Sequence, residues 1–314
     1  MRPSPLLLAA CSLLCGCLSF PDDEAYRCDG APAPGCSDQC FCPEAQTSIN
    51  DRINFMFGGR YGQDVWVVGL NGPLWRLRNG AWSPQGNLGQ QLYGGWGREP
   101  DGILVVGAGG LLLESDGDGP LIPVSTGTSA ALTAAWSMGP DEAWAIGVGG
   151  VMFHRTAAGW SAFTPSPTTV TFNAMHGNSP GNVWAVGDGG KAFQWDGDSW
   201  TERSPPLTGE LQAVWVSGEG DVWVAGQGGA SARLHDGAWS VIGGAAVDLV
   251  ALSGATPDDV WAGGAAGAVF HFQGGTWVRA HNLSTESAAT YGVWEPTAGD
   301  LWVGSGTTVE HRHP

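Results

Sequence analysis

The segment Asp64-Val65-Trp66-Val67-Val68-Gly69 keeps returning along the chain, and this restricts the fold more than any other feature. It recurs as Glu142-Ala143-Trp144-Ala145-Ile146-Gly147, Asn182-Val183-Trp184-Ala185-Val186-Gly187, Asp221-Val222-Trp223-Val224-Ala225-Gly226 and Asp259-Val260-Trp261-Ala262-Gly263-Gly264. Asp300-Leu301-Trp302-Val303-Gly304 is a degenerate copy, and Gly102-Ile103-Leu104-Val105-Val106-Gly107 is a copy without tryptophan. The anchor positions 66, 104, 144, 184, 223, 261 and 302 are separated by 38, 40, 40, 39, 38 and 41 residues.

Other positions keep the same phase. A glycine stands three residues after the anchor (Gly69, Gly107, Gly147, Gly187, Gly226, Gly264) and again six residues after it (Gly72, Gly110, Gly150, Gly190, Gly229, Gly267). A tryptophan follows sixteen residues on (Trp82, Trp160, Trp200, Trp239, Trp277), and another precedes the anchor by about eight (Trp96, Trp136, Trp215, Trp294). With 51 Gly, 17 Trp and only 14% charged residues, the composition suits tight turns and large aromatic anchors.

Each unit reads as four short strands. In the fifth, Gln212–Val216 leads through a turn at Glu219-Gly220 to Val222–Ala225, the glycine pair opens Ala230–His235, and Asp236-Gly237 turns into a strand starting at Trp239. No segment has the 3.6-residue apolar period of a helix. Four strands in about 40 residues make a propeller blade, so the expected fold is an all-β, seven-bladed β-propeller of four-stranded antiparallel blades. The seventh repeat ends one strand short at Pro314. By phase, residues of about 40–47 supply that strand, so an N-terminal strand completes the last blade and removes an open edge.

The N-terminus reads as an export signal: Met1-Arg2, an apolar run from Leu6 to Leu14, then small residues and Cys17. The run is too short to span a bilayer. Leu14-Cys15-Gly16-Cys17 resembles the bacterial lipobox, with Leu8-Ala9-Ala10-Cys11 a weaker match. The expected organisation is a signal over 1–16, lipid on Cys17, a cysteine-containing segment over 17–43, and the propeller over 44–314. Cys28, Cys36, Cys40 and Cys42 are the other cysteines of the exported chain, and an oxidising compartment makes two disulfides the expectation. All three pairings stay open, with Cys40–Cys42 the least favoured on geometry. Paired C-x-x-C spacing for a metal is missing. The exported chain keeps 12 basic and 30 acidic residues. Such a charge opposes nucleic acid and anionic headgroups, which leaves the lipid anchor as the membrane contact.

The pattern D-V-W-x-V-G, glycine pair, aromatic strand and D-G-x-x-W resembles the Trp-rich propeller repeats of bacterial exported lipoproteins. It is also similar to tectonin-type lectin propellers and, at Asp196-Gly197-Asp198-Ser199-Trp200, to the Asp-box hairpins of sialidase-like propellers. The likeness covers about residues 53–312 and speaks for architecture, since one fold hosts many activities. The arginine cluster of a sialidase is missing.

No catalytic residue stands out: the chain has no Walker loop or cysteine nucleophile with a partner. The acids two residues before the anchors (Asp64, Glu142, Asp221, Asp259, Asp300) read as caps of their own hairpin turns. His154 and His271, ten residues after the anchor, read as a solvated strand face, and His311-Arg312-His313 as an exposed tail. Asp116-Gly117-Asp118-Gly119 reads as a turn rather than a calcium loop. Sugar-stacking aromatics are missing from the loops. The side chains that vary in the regular frame of the turns are Asn71, Asp188, Lys191 and Gln227, and these are the candidate binding residues. The expectation is a non-enzymatic, monomeric envelope lipoprotein that binds a protein partner. A glycan-binding lectin is the alternative, and a glycosidase or polysaccharide lyase a third. No metal or cofactor is expected.

Overall fold

The computed structural model describes residues 41–43, 49, 51–58, 64–98, 102–115, 119–283 and 288–312. They form seven four-stranded sheets, in each of which neighbouring strands pair antiparallel. Blade 3 shows the pattern, with Leu132–Gly139 innermost, then Glu142–Gly147, Met152–Thr156 and Gly159–Ala162 outermost. The other innermost strands are Ile53–Gly58, Leu92–Arg98, Phe172–Ser179, Leu211–Val216, Leu249–Thr256 and Thr290–Thr297. The second strand of each blade is apolar on both faces, because each face packs on a neighbouring blade. Val65–Val68 and Val183–Val186 are buried throughout.

Glycine is needed at the turn between the second and third strands. Gly149 and Gly150 adopt φ of 70° and 77°, and a Cβ on Gly150 would run into the Thr168 carbonyl oxygen. The outer hairpins use a mirror-type turn that matches strand twist, as at Asp236 (φ 48°) and Gly237 (φ 78°).

The phased tryptophans form the core between blades. The outer-strand Trp of one blade meets the anchor Trp of the blade before it edge-on. The centroids are 5.2 Å apart for Trp200 on Trp144, 6.0 Å for Trp239 on Trp184, 5.7 Å for Trp277 on Trp223 and 6.2 Å for Trp82 on Trp302. Edge-to-face pairing adds roughly 0.5–1.5 kcal/mol to what area burial contributes. In blade 7 the outer strand is Phe41–Pro43, which pairs antiparallel with Thr308–Arg312. Phe41 there takes the place of the outer-strand Trp, edge-on to Trp261 at 6.2 Å and stacked on His281 at 4.3 Å.

A second contact between blades lies lower on the innermost strands. An aromatic ring of one blade covers a glycine of the next: Phe57 on Gly97, Trp136 on Gly177, Trp215 on Gly254 and Trp294 on Gly58. Trp136 Nε1 also donates to the Gly177 carbonyl at 3.0 Å.

Three expectations are corrected. The residues ten positions after the anchor are not a solvated face. His154 lies flat on Trp144 at 3.9 Å and His271 on Trp261 at 4.0 Å. Arg76 and Arg233 stand over Trp66 and Trp223 at 5.0 and 5.3 Å. The acids before the anchors bind these side chains instead of capping their own turns. Glu142 meets His154 Nε2 at 3.1 Å, Asp259 meets His271 at 2.8 Å, and Asp64 meets Arg76 at 2.5 Å. Asp221 is buried between Arg233 and His235. The physical reason is register: the residue on the third strand lies opposite the anchor Trp, which makes the acid two residues earlier its diagonal neighbour on the same face, where two partly buried groups satisfy one another better than water can. His311 is likewise no tail. It is buried, stacks on Trp302 at 3.7 Å and contacts Asp300 at 2.6 Å. The lipidation of Cys17 and any bond among Cys28, Cys36 and Cys40 fall outside the described residues, as does the Asp116–Asp118 turn. Cys42 is described only as a backbone position in the outer strand of blade 7.

Candidate functional site

The innermost strands surround a central channel of about 860 Å³. Each of these strands starts at the face that carries the glycine turns. Leu211, for example, pairs with Gly226, and the turn Gln227–Gly229 follows directly. The residue after the first buried position of each innermost strand therefore forms the mouth at that face. From blade 1 to blade 7 these are Asn54, Tyr93, Thr133, Asn173, Gln212, Val250 and Tyr291, all in the channel wall.

Three of the seven bind the neighbouring blade. Asn54 Nδ2 donates to the Leu92 carbonyl at 2.7 Å, Thr133 Oγ1 to that of Phe172 at 2.6 Å, and Asn173 Nδ2 to that of Leu211 at 3.0 Å. Tyr93 and Tyr291 break the pattern. They flank Asn54 from blades 2 and 7, and the Tyr93 hydroxyl donates to Gln91 Oε1 at 2.7 Å. Arg52 lies over the Tyr291 ring at 5.7 Å. Gln212 Oε1, across the mouth, is buried without a hydrogen bond. Glu210, exposed beside Gln212, adds a carboxylate to the rim.

Toward the other end the wall turns aromatic, with Phe57, Trp96, Trp215 and Trp294. Three blades depart from the ring-on-glycine contact: blade 2, since blade 3 carries Ser137 at the glycine position, and blades 4 and 6. In blade 4 the ring is His176, half-buried, edge-on to Trp96 at 5.1 Å. Its Nδ1 accepts the Val216 N–H at 3.1 Å, so a ring hydrogen sits on Nε2. Burial pushes its pKa down to about 4, leaving it neutral at physiological pH. In blade 6 the ring is replaced by Ser253, and the facing glycine in blade 7 by Glu295. Ser253 Oγ accepts the Glu295 N–H at 2.9 Å. Glu295 is 4% exposed and its Oε1 accepts the Gly299 N–H at 3.0 Å, while Oε2 has no hydrogen bond. Burial, then the nearby Asp259, raises its pKa to about 8.

Of the four residues singled out in the sequence, only Asp188 reaches this site with its side chain, accepting from Asn173 Nδ2 at 3.1 Å. Lys191 pairs with Glu202 at 2.6 Å, and Asn71 binds the Asp51 carboxylate through backbone and side chain. Gln227 is exposed in its turn, its backbone N–H on the Glu210 carbonyl at 3.0 Å. The mouth residues were missed because they lie in strands rather than loops. The available signal was variation at one phased strand position, from Asn and Thr to Tyr. Among the described residues no three His, Cys, Asp or Glu side chains gather to hold a metal ion.

No protein-family model and no curated protein matches the chain. Solved propellers do. YCF48 bound to D1 peptide is 18% identical, with a TM-score of 0.70 over 88% of this chain and 97% of that one. Virginiamycin B lyase from Staphylococcus aureus is 10% identical, with a TM-score of 0.76 over 87% and 99%. The RRP9 WD40 repeats are 10% identical, with a TM-score of 0.71 over 84% and 94%. At such identities the likeness is one of fold, and the chain is a seven-bladed β-propeller.

Proposed function

We propose that this protein is an exported, lipid-anchored, non-catalytic binding propeller of the bacterial envelope, holding a segment of a protein partner at the channel mouth on the glycine-turn face. The observation that carries this reading is the broken symmetry of the mouth. Residues that lock blade to blade repeat, whereas Tyr93, Gln212 and Tyr291 interrupt the series with aromatic and hydrogen-bonding groups facing the channel. Large aromatics with nearby amides suit extended polypeptide, since a flat ring offers contact area at little entropic cost. The peptide carried by the YCF48 propeller supports the same use of the fold. Rigid packing between blades fixes the mouth, so little ordering is lost on binding. Export and anchoring rest on the signal over 1–16 and on Cys17.

The two tyrosines also favour a second reading, in which a glycan stacks on them. A peptide array and a glycan array, each probed with the purified chain and with Tyr93→Ala/Tyr291→Ala, test both. Peptide binding that falls at least tenfold in the double variant supports the proposal. Glycan binding alone replaces it with the lectin, and turnover of a polysaccharide replaces both with an enzyme.

A further inference from the structure

The channel wall carries carboxyl groups and aromatic faces but no lysine or arginine among its described residues. Glu210 stands at the mouth, exposed and without an ion pair among the described contacts. Glu295 lies buried at the far end, its carboxyl near the Trp261 indole and the Ala255 backbone and its Oε2 without a hydrogen bond. Between them the wall presents Tyr93, Tyr291, Trp96, Trp215 and Trp294. His176, the other titratable ring of the wall, adds no positive charge. The whole chain is acidic, with 30 Asp and Glu against 13 Lys and Arg. Among the described residues, Lys191 is neutralised by Glu202, and Arg52 lies against Tyr291 at the rim.

The Glu210 carboxylate at the mouth draws a cation, and aromatic faces hold it once its water is stripped. An acidic protein steers basic partners toward such a cavity. A long basic side chain fits these demands, because its methylene stem can lie along the rings while its head reaches a carboxyl group. We infer that the segment bound at the mouth is basic and that it places a lysine or arginine side chain into the channel. This inference deepens the peptide-binding reading and rests on it.

The test uses the mature, anchor-free chain and three fluorescent peptides of equal length, one Lys-rich, one Glu-rich and one uncharged, with spermidine as a small competitor. The Lys-rich peptide is expected to bind at least about tenfold tighter than the uncharged one at low salt and to lose much of that advantage at high salt. Glu210→Gln, an exposed change that leaves the fold intact, is expected to weaken it several-fold. Glu295→Gln keeps the acceptor for Gly299 and removes the titratable carboxyl, and its folding is checked by thermal melting. Equal or tighter binding of the uncharged or Glu-rich peptide, still dependent on Tyr93, overturns the inference and leaves the binding function standing. Spermidine binding without peptide binding overturns the inference and the peptide reading together, as does the absence of any peptide binding.

Discussion

The imidazole of His154 lies parallel to the indole of Trp144, 3.9 Å away, and both rings hydrogen-bond Glu142 Oε1. The same clamp is built from Trp184, Gln194 and Asn182 in blade 4, where Asn182 Oδ1 accepts from both partners at 2.9 Å. The position thus tolerates any flat side chain that can cover the indole and reach the residue before the anchor. His154→Ala is expected to cost about 2 kcal/mol in urea unfolding, from lost stacking and one hydrogen bond to a carboxylate. His154→Gln is expected to cost less than half of that.

The ring-on-glycine contact predicts a sharp contrast between glycines. A Cβ on Gly58 would overlap the Trp294 indole, and one on Gly177 would meet Trp136 at 2.9 Å. Neither of these glycines has positive φ, so the cost is overpacking rather than backbone strain. Gly58→Ala and Gly177→Ala are each expected to destabilise by about 1–3 kcal/mol or more. Gly139→Ala, with open space around it, is expected to stay within about 0.5 kcal/mol. Thermal melting of the three variants checks the order.

His176 has a native pKa of about 4 against an ordinary 6.5. Above pH 6.5 it is neutral in both states and its contribution is fully present. As pH falls below 6.5 the unfolded chain takes up a proton that the folded one refuses, and stability is lost until about pH 4. The shift corresponds to roughly 3 kcal/mol. His176→Asn is expected to flatten the melting temperature between pH 6.5 and 4.

Glu295 works in the opposite sense. Its native pKa near 8 exceeds the ordinary 4.5. Its contribution is complete below pH 4.5 and declines as pH rises toward 8, because the unfolded carboxyl ionises first. Glu295→Gln is expected to remove this decline, seen as a higher melting temperature than wild type at pH 8 and little difference at pH 4.5.

Much of the frame was legible because propeller geometry imposes one chemistry on each phased position. The tryptophans at 144 and 200 had to be core, since sheets stacked radially need a large residue at the same height in each blade. The acids and bases of the clamp were visible as a pair of repeating positions. Their partnership was not, because twelve residues separate Glu142 from His154, and only strand register, which sets His154 opposite Trp144, brings it diagonally beside Glu142. Lys191 and Asn71 stood out by variation, yet their partners Glu202 and Asp51 lie eleven and twenty residues away.

The sequence by itself determined the number of blades, the strand count of each and the tryptophan contacts between them, because a repeat of fixed length writes local structure and interface alike into every copy. Only the tertiary structure decided which departures from the repeat meet. Ser253 and Glu295 are 42 residues apart, and Tyr93 and Tyr291 stand in blades 2 and 7. Bending seven sheets into a circle sets such residues side by side, and no spacing along the chain encodes that adjacency directly.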